Sequence, residues 1–223
     1  DSGPRWSWGN WHEEELTAAT HAMIPALKDP DVDVRIAALD YILAIESPVG
    51  VEFALGLAAY NDEPVVRQKA IDVASSFYTT TGSALITAEH LILHPETDLE
   101  TKARLYALLR KSRNEIIIDF VLSRLAATDV EVREKVYAAR ALGHHMKPDL
   151  IPDILTHLTT QTGPEVRAEL ATVLRRIANR SEAIDWERAS EAQRTLALAN
   201  WERWWQENRT LPREAWLVQG FSQ

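Results

Sequence analysis

A short phrase that recurs five times is the strongest constraint this chain places on its own fold. It reads DPDVDVR at Asp29–Arg35, NDEPVVR at Asn61–Arg67, DLETKAR at Asp98–Arg104, ATDVEVR at Ala127–Arg133 and QTGPEVR at Gln161–Arg167. The closing arginines Arg35, Arg67, Arg104, Arg133 and Arg167 stand 32, 37, 29 and 34 residues apart. Val or Ala precedes each of them, at Val34, Val66, Ala103, Val132 and Val166. Six positions before the arginine stands Asp29, Asn61, Asp98 or Gln161, and the fourth copy has Ala127 instead. A helix rises about 1.5 Å per residue, so a spacing in the low thirties holds two helices of about 12–15 residues with their turns. The expected building unit is a helical hairpin.

Each phrase begins in a turn and ends in a helix. Asp or Asn ahead of a helix accepts hydrogen bonds from its unpaired N–H groups, and Pro30, Pro64 and Pro164 fall at first-turn positions, where a missing N–H costs little. Apolar residues at helical spacing follow, as in Val34, Ala38, Leu39, Ile42 and Ile45, or Val166, Leu170, Val173, Leu174 and Ile177. These stripes predict the second helix of each pair. First helices are predicted near Trp11–Leu27, Val49–Tyr60, Ser83–Leu93, Asn114–Ala127 and Asp149–Thr160. Several are apolar around much of their girth, as in EIIIDFVLSRLAA from Glu115 to Ala127. A helix like that needs cover on more than one side, and stacked pairs supply it.

An acidic or amide residue in the turn, Val-Arg six residues later and small apolar residues after that resemble the HEAT repeat. The resemblance spans about Glu13 to Asn179. It implies an all-α fold, an α-solenoid of about five HEAT-like helix pairs. It also implies a structural ladder of turn and helix side chains running from repeat to repeat, here Asp29, Arg35, Asn61, Arg67, Asp98, Arg104, Arg133, Gln161 and Arg167. The third copy, with its longer spacing and Ala103, and the fourth, with Ala127, depart from the pattern; Asp129 is the nearest substitute acid in the fourth.

The tryptophans lie at the two ends. Trp6, Trp8 and Trp11 crowd the start; Trp186, Trp201, Trp204, Trp205 and Trp216 crowd the end. Residues 1–11 therefore read as an N-terminal arm, 12–180 as the repeat region and 181–223 as Trp-rich capping helices. In that last segment a long helix is expected to reach about Asn208, with a turn at Thr210–Pro212 and a short helix carrying Trp216. Trp201, Trp204 and Trp205 share one helix face at i, i+3, i+4. The run W-x-x-W-W followed by a second Trp-containing helix resembles a tail of bacterial HEAT-repeat proteins, a resemblance that implies no chemistry. A terminal repeat lacks a neighbour, so an aromatic segment sealing its open core is the expected role. Recognition of a partner is the competing one, and Trp6 and Trp8 stay open between the two.

Composition narrows the function. The formal charge is −9, a field that repels phosphate backbones, and no Lys/Arg run offsets it, so nucleic acid is not an expected partner. No stretch reaches the roughly 18–20 apolar residues of a membrane-spanning helix, so membrane insertion is not expected. The chain contains no Cys, which removes disulfides, thiolate metal sites and cysteine nucleophiles. It opens on Asp1 rather than Met, as a trimmed or excised product would, and no compartment follows from the sequence. His90 and His94, four apart beside Glu89, supply at most two metal ligands where a catalytic site normally has three; favourable interaction with a helix C-terminal end explains them as well. No catalytic residue, cofactor or metal set is assigned.

The expected function is a non-enzymatic protein–protein scaffold or adaptor with a curved acidic surface, docking a protein or peptide, a basic one by charge. Asp33, Asp40, Lys69, Asp72 and Glu134, polar positions opposite the apolar stripes, are the candidate partner-binding residues beside Trp6 and Trp8. Two alternatives stand next to it: a structural component docked in a larger assembly through its Trp-rich ends, and a HEAT-like lyase or hydroxylase handling metal or pigment. Oligomeric state is left open.

Overall fold

The structure, a computed structural model, describes residues 13–47, 49–60, 63–76, 82–110, 115–161, 163–180 and 184–220. Every regular element among them is helical, with no strand. The chain divides into two compact units, residues 1–112 and 113–223. The arm with Trp6 and Trp8, and the turn residue Asn61, lie outside the described residues.

Unit 1 holds α1 (Glu13–Ala22), α2 (Ile24–Leu27), α3 (Val32–Ala44), α4 (Gly50–Tyr60), α5 (Pro64–Ser76), α6 (Gly82–Leu93) and α7 (Leu99–Leu109). The predicted Trp11–Leu27 helix is divided at Met23. Pro25 has no N–H to give the carbonyl one turn back, so the chain restarts as α2 with the proline in its first turn. Thr20 prepares the break from inside α1, its buried hydroxyl donating to the Leu16 carbonyl at 2.8 Å. Packing then follows a regular order. α2 lies on α3, α4 on α5 and α6 on α7; in addition α3 touches α5, α5 touches α7 and α4 touches α6.

Unit 2 holds α8 (Ile116–Ala126), α9 (Val132–Leu142), α10 (Ile151–Thr160, entered through a 3-10 turn at Pro148–Leu150), α11 (Pro164–Ala178), α12 (Glu191–Asn208) and α13 (Arg213–Gly220). The same order of contacts recurs: α8 on α9, α10 on α11, α9 against α11 and α8 against α10. α12 then packs on α10, and α13 on α11. α12 starts with a capping box in which Ser190 accepts from the Gln193 N–H and the Gln193 side chain accepts from the Ser190 N–H. α11 ends at Asn179, whose φ of 52° is the left-handed conformation that an asparagine tolerates at a helix end.

From α3 to α11 each helix buries a stripe of apolar residues. Leu39 and Ile42 of α3, Leu55 of α4, Val66 of α5 and Leu105 of α7 are wholly buried in unit 1; Ile117, Leu142, Ile154 and Leu174 are in unit 2. A fully buried side chain of this size contributes about 1.5–3 kcal/mol, so these stripes are the main force holding the pairs together. Among the described residues no helix is long and apolar enough to cross a membrane.

Candidate functional site

The repeated arginines Arg35, Arg67, Arg104, Arg133 and Arg167 lie on α3, α5, α7, α9 and α11. In unit 1, Arg35 is buried, and its Nη1 donates to the Asp29 carbonyl at 2.5 Å and to the Pro30 carbonyl at 3.1 Å. The Asp29 carboxylate instead accepts from the Asp31 N–H at 2.8 Å, and Asp31, not Asp29, caps α3 by accepting from Asp33 N at 2.9 Å. So the guanidinium closes its own turn by the main chain. Arg67 is half-buried at the matching place. Arg104 reaches out: it pairs with Asp72 of α5 and with Glu100 at 2.7 Å. Asp98 caps α7, its Oδ1 accepting from Thr101 N at 3.0 Å and its Oδ2 from the Thr101 hydroxyl at 2.7 Å. Those bonds, the hydroxyl first, hold its carboxyl below the usual range.

In unit 2, Arg167 repeats the turn closure, Nη1 donating to the Gln161 carbonyl at 3.0 Å. Burial pushes its pKa down, and Arg194 adds to the effect. The Gln161 amide donates to the Leu125 carbonyl at 2.7 Å, tying this turn to the end of α8 in the preceding pair. Arg133 is exposed, and neither its guanidinium nor the Asp129 carboxylate forms a hydrogen bond or ion pair among the described residues. The copy that has Ala127 in place of the acid thus makes no rung.

The residues singled out for partner binding are mostly engaged by the protein itself. Asp40 of α3 pairs with Lys69 of α5, and Asp72 of α5 with Arg104 of α7, so three of them sit in links between successive second helices. Unit 2 has an equivalent, Arg140 of α9 with Glu169 of α11 at 2.6 Å. Glu134 is a correction. Expected on the surface, it is 3% exposed and receives Nε and Nη2 of Arg124 at 3.1 and 2.9 Å. The arginine of the facing helix α8 draws it inward, and a carboxylate removed from water requires such a partner. Asp33 is exposed in the first turn of α3, where a negative charge is favourable. The regularity that sequence reading missed was present in the sequence: Asp40 and Asp72 each lie five residues after a motif arginine.

Four of the C-terminal indoles, Trp201, Trp204, Trp205 and Trp216, form one cluster. Trp201 and Trp204 meet edge-to-face at 5.6 Å, Trp204 and Trp216 at 5.4 Å, and Trp205 and Trp216 at 5.8 Å. Trp186, Trp201, Trp204 and Trp216 are buried, and Trp205 is half-buried. The guanidinium of Arg180 lies 5.6 Å from the Trp201 ring centre and 6.0 Å from that of Trp204, an attractive cation–π arrangement. Polar ends are matched too: Trp216 Nε1 donates to the Asn208 carbonyl at 3.0 Å, and Arg213 Nε to the Ile177 carbonyl at 3.2 Å.

His90 and His94 are both exposed, and His94 lies just past α6, its Nδ1 accepting from Glu96 N at 3.3 Å. Among the described residues no three His, Asp or Glu side chains converge as metal ligands would. His145 and His157, in unit 2, are half-buried, and loss of water pushes both pKa values down. No protein-family model matches the chain, and no curated protein matches it.

Proposed function

We propose that the chain is a HEAT-like α-solenoid of about five helix pairs, and that it works as a non-enzymatic scaffold for protein–protein interaction. The observation that carries this reading is the order of contacts, pair against pair and second helix against second helix, repeated inside each unit. In such an arrangement each hairpin is stabilised mainly by its neighbours, and a continuous side-chain surface is left for a partner. The partner is a protein or peptide. A net charge of −9 favours a basic segment during long-range encounter and disfavours phosphate backbones. The buried C-terminal indoles are occupied in packing, which leaves the helix faces as the docking surface.

Affinity capture with the tagged full chain, followed by calorimetric titration with the purified captured protein, tests the reading. A saturable protein complex that weakens at higher salt is the expected result. Stoichiometric iron or zinc in the purified chain, with turnover of a small-molecule substrate, would contradict it in favour of a HEAT-like enzyme.

A further inference from the structure

Within unit 2, we infer that the groove between α10 and α12 is a docking site for an acidic peptide segment. The groove encloses about 740 Å³. Along its α12 side run Arg203, Trp205 and Arg209, and along its α10 side Thr156 and Thr160. Its charge and its walls point to one occupant.

Both guanidinium groups are exposed, and neither forms a hydrogen bond or ion pair among the described residues. Most arginines elsewhere in the fold are spent on carbonyls or carboxylates, as Arg35, Arg104, Arg124, Arg140 and Arg167 are. One acid, Glu202, shares the groove, so its balance is positive. The surrounding charge is also unlike the rest of the chain: residues 113–223 hold 15 Lys and Arg against 16 Asp and Glu, so −8 of the −9 lies in residues 1–112.

Trp205 is fixed as well. Its ring is braced edge-to-face against Trp216 at 5.8 Å while it lines the groove, so little rotamer freedom remains to be lost on binding. The threonine hydroxyls donate to the Pro152 and Thr156 carbonyls at 3.0 and 3.1 Å, which leaves methyl groups and neutral oxygens on that wall. Tryptophan and arginine are the side chains most enriched at binding hot spots. Two forked guanidinium donors match carboxylates in bidentate geometry, and the indole offers a face to an apolar side chain. An acidic segment carrying one or two apolar residues fits this chemistry. The inference concerns a surface of unit 2 alone and does not depend on the solenoid reading.

The test is fluorescence anisotropy on the full chain. The probe is a labelled dodecapeptide of Glu, Ser and Gly around a central Leu-Leu pair, beside the same peptide with every Glu replaced by Gln. The acidic peptide is expected to bind saturably, and the Gln peptide about tenfold more weakly or worse. Arg203→Glu with Arg209→Glu should weaken acidic-peptide binding by at least about tenfold while the thermal melt is unchanged, both side chains being exposed. Trp205→Leu, checked by the same melt, should weaken both peptides alike. Equal affinity for the two peptides, full binding by the double charge reversal, or no binding of the acidic peptide at millimolar concentration would each overturn the inference. Displacement of the peptide by a lower concentration of single-stranded oligonucleotide would overturn it too, assigning the groove to nucleic acid instead.

Discussion

Two acidic residues show how differently one chemical group is used in this chain. Glu134 and Arg124 form a charge pair with little water around it, their side chains 4% and 15% exposed. Such a pair adds little over a hydrophobic match, but breaking it leaves a buried charge alone. Arg124→Met should therefore lower stability by about 3 kcal/mol, read by urea denaturation, and Arg124→Met with Glu134→Met should recover much of the loss. Asp98 is the opposite case, a mostly exposed cap. Asp98→Ala should cost about 1 kcal/mol, while Asp98→Asn, which still caps, should cost less. Because the folded-state pKa of Asp98 is depressed, its contribution is full above about pH 4 and is lost as the pH falls through the folded value. His145 and His157 act higher on the scale. Their folded pKa values are lowered by burial, so the unfolded chain binds protons first, and stability falls as the pH drops below about 6.5. Denaturation midpoints measured from pH 7.5 to 5 should fall in the native chain, and fall less in His145→Gln/His157→Gln.

At the scale of helices, the sequence was most legible where punctuation is local. The predicted Val49–Tyr60 and Ser83–Leu93 helices agree with Gly50–Tyr60 and Gly82–Leu93 to within one residue, since Pro, Gly and apolar periodicity act inside a few residues of chain. Trp201, Trp204 and Trp205 do share one helix, and that helix ends at Asn208 as expected. What stayed hidden depends on a second element. The inward position of Glu134 is set by Arg124 on another helix, and viewing α9 by itself places a glutamate on its polar side. Likewise, Arg35 and Arg167 meet carbonyls, which no side-chain pattern encodes. The links Asp40–Lys69, Asp72–Arg104 and Arg140–Glu169 join successive second helices, yet partly exposed pairs of this kind contribute about 0–1 kcal/mol each. A double-mutant cycle on Arg140 and Glu169 should return a coupling in that range, shrinking at high salt; a coupling above about 2 kcal/mol would mean that the pair is held away from water. Apolar stripes, not rungs of charge, carry the helix-to-helix attachment.

At the scale of the whole chain, the proposed solenoid makes stability a matter of neighbours: an element protects what it touches and little else. α12 and α13 touch α10 and α11, and Trp204 is the centre of their aromatic contact, 7% exposed and between Trp201 and Trp216. Trp204→Ala should cost about 3–5 kcal/mol by the void it opens. Native-state hydrogen exchange on that variant is the most direct measurement. The expected result is faster exchange in α10 and α11 with the amides of α3 to α7 still protected. Uniform loss of protection along the chain, or unchanged exchange in α10 and α11, would contradict a fold sustained pair by pair.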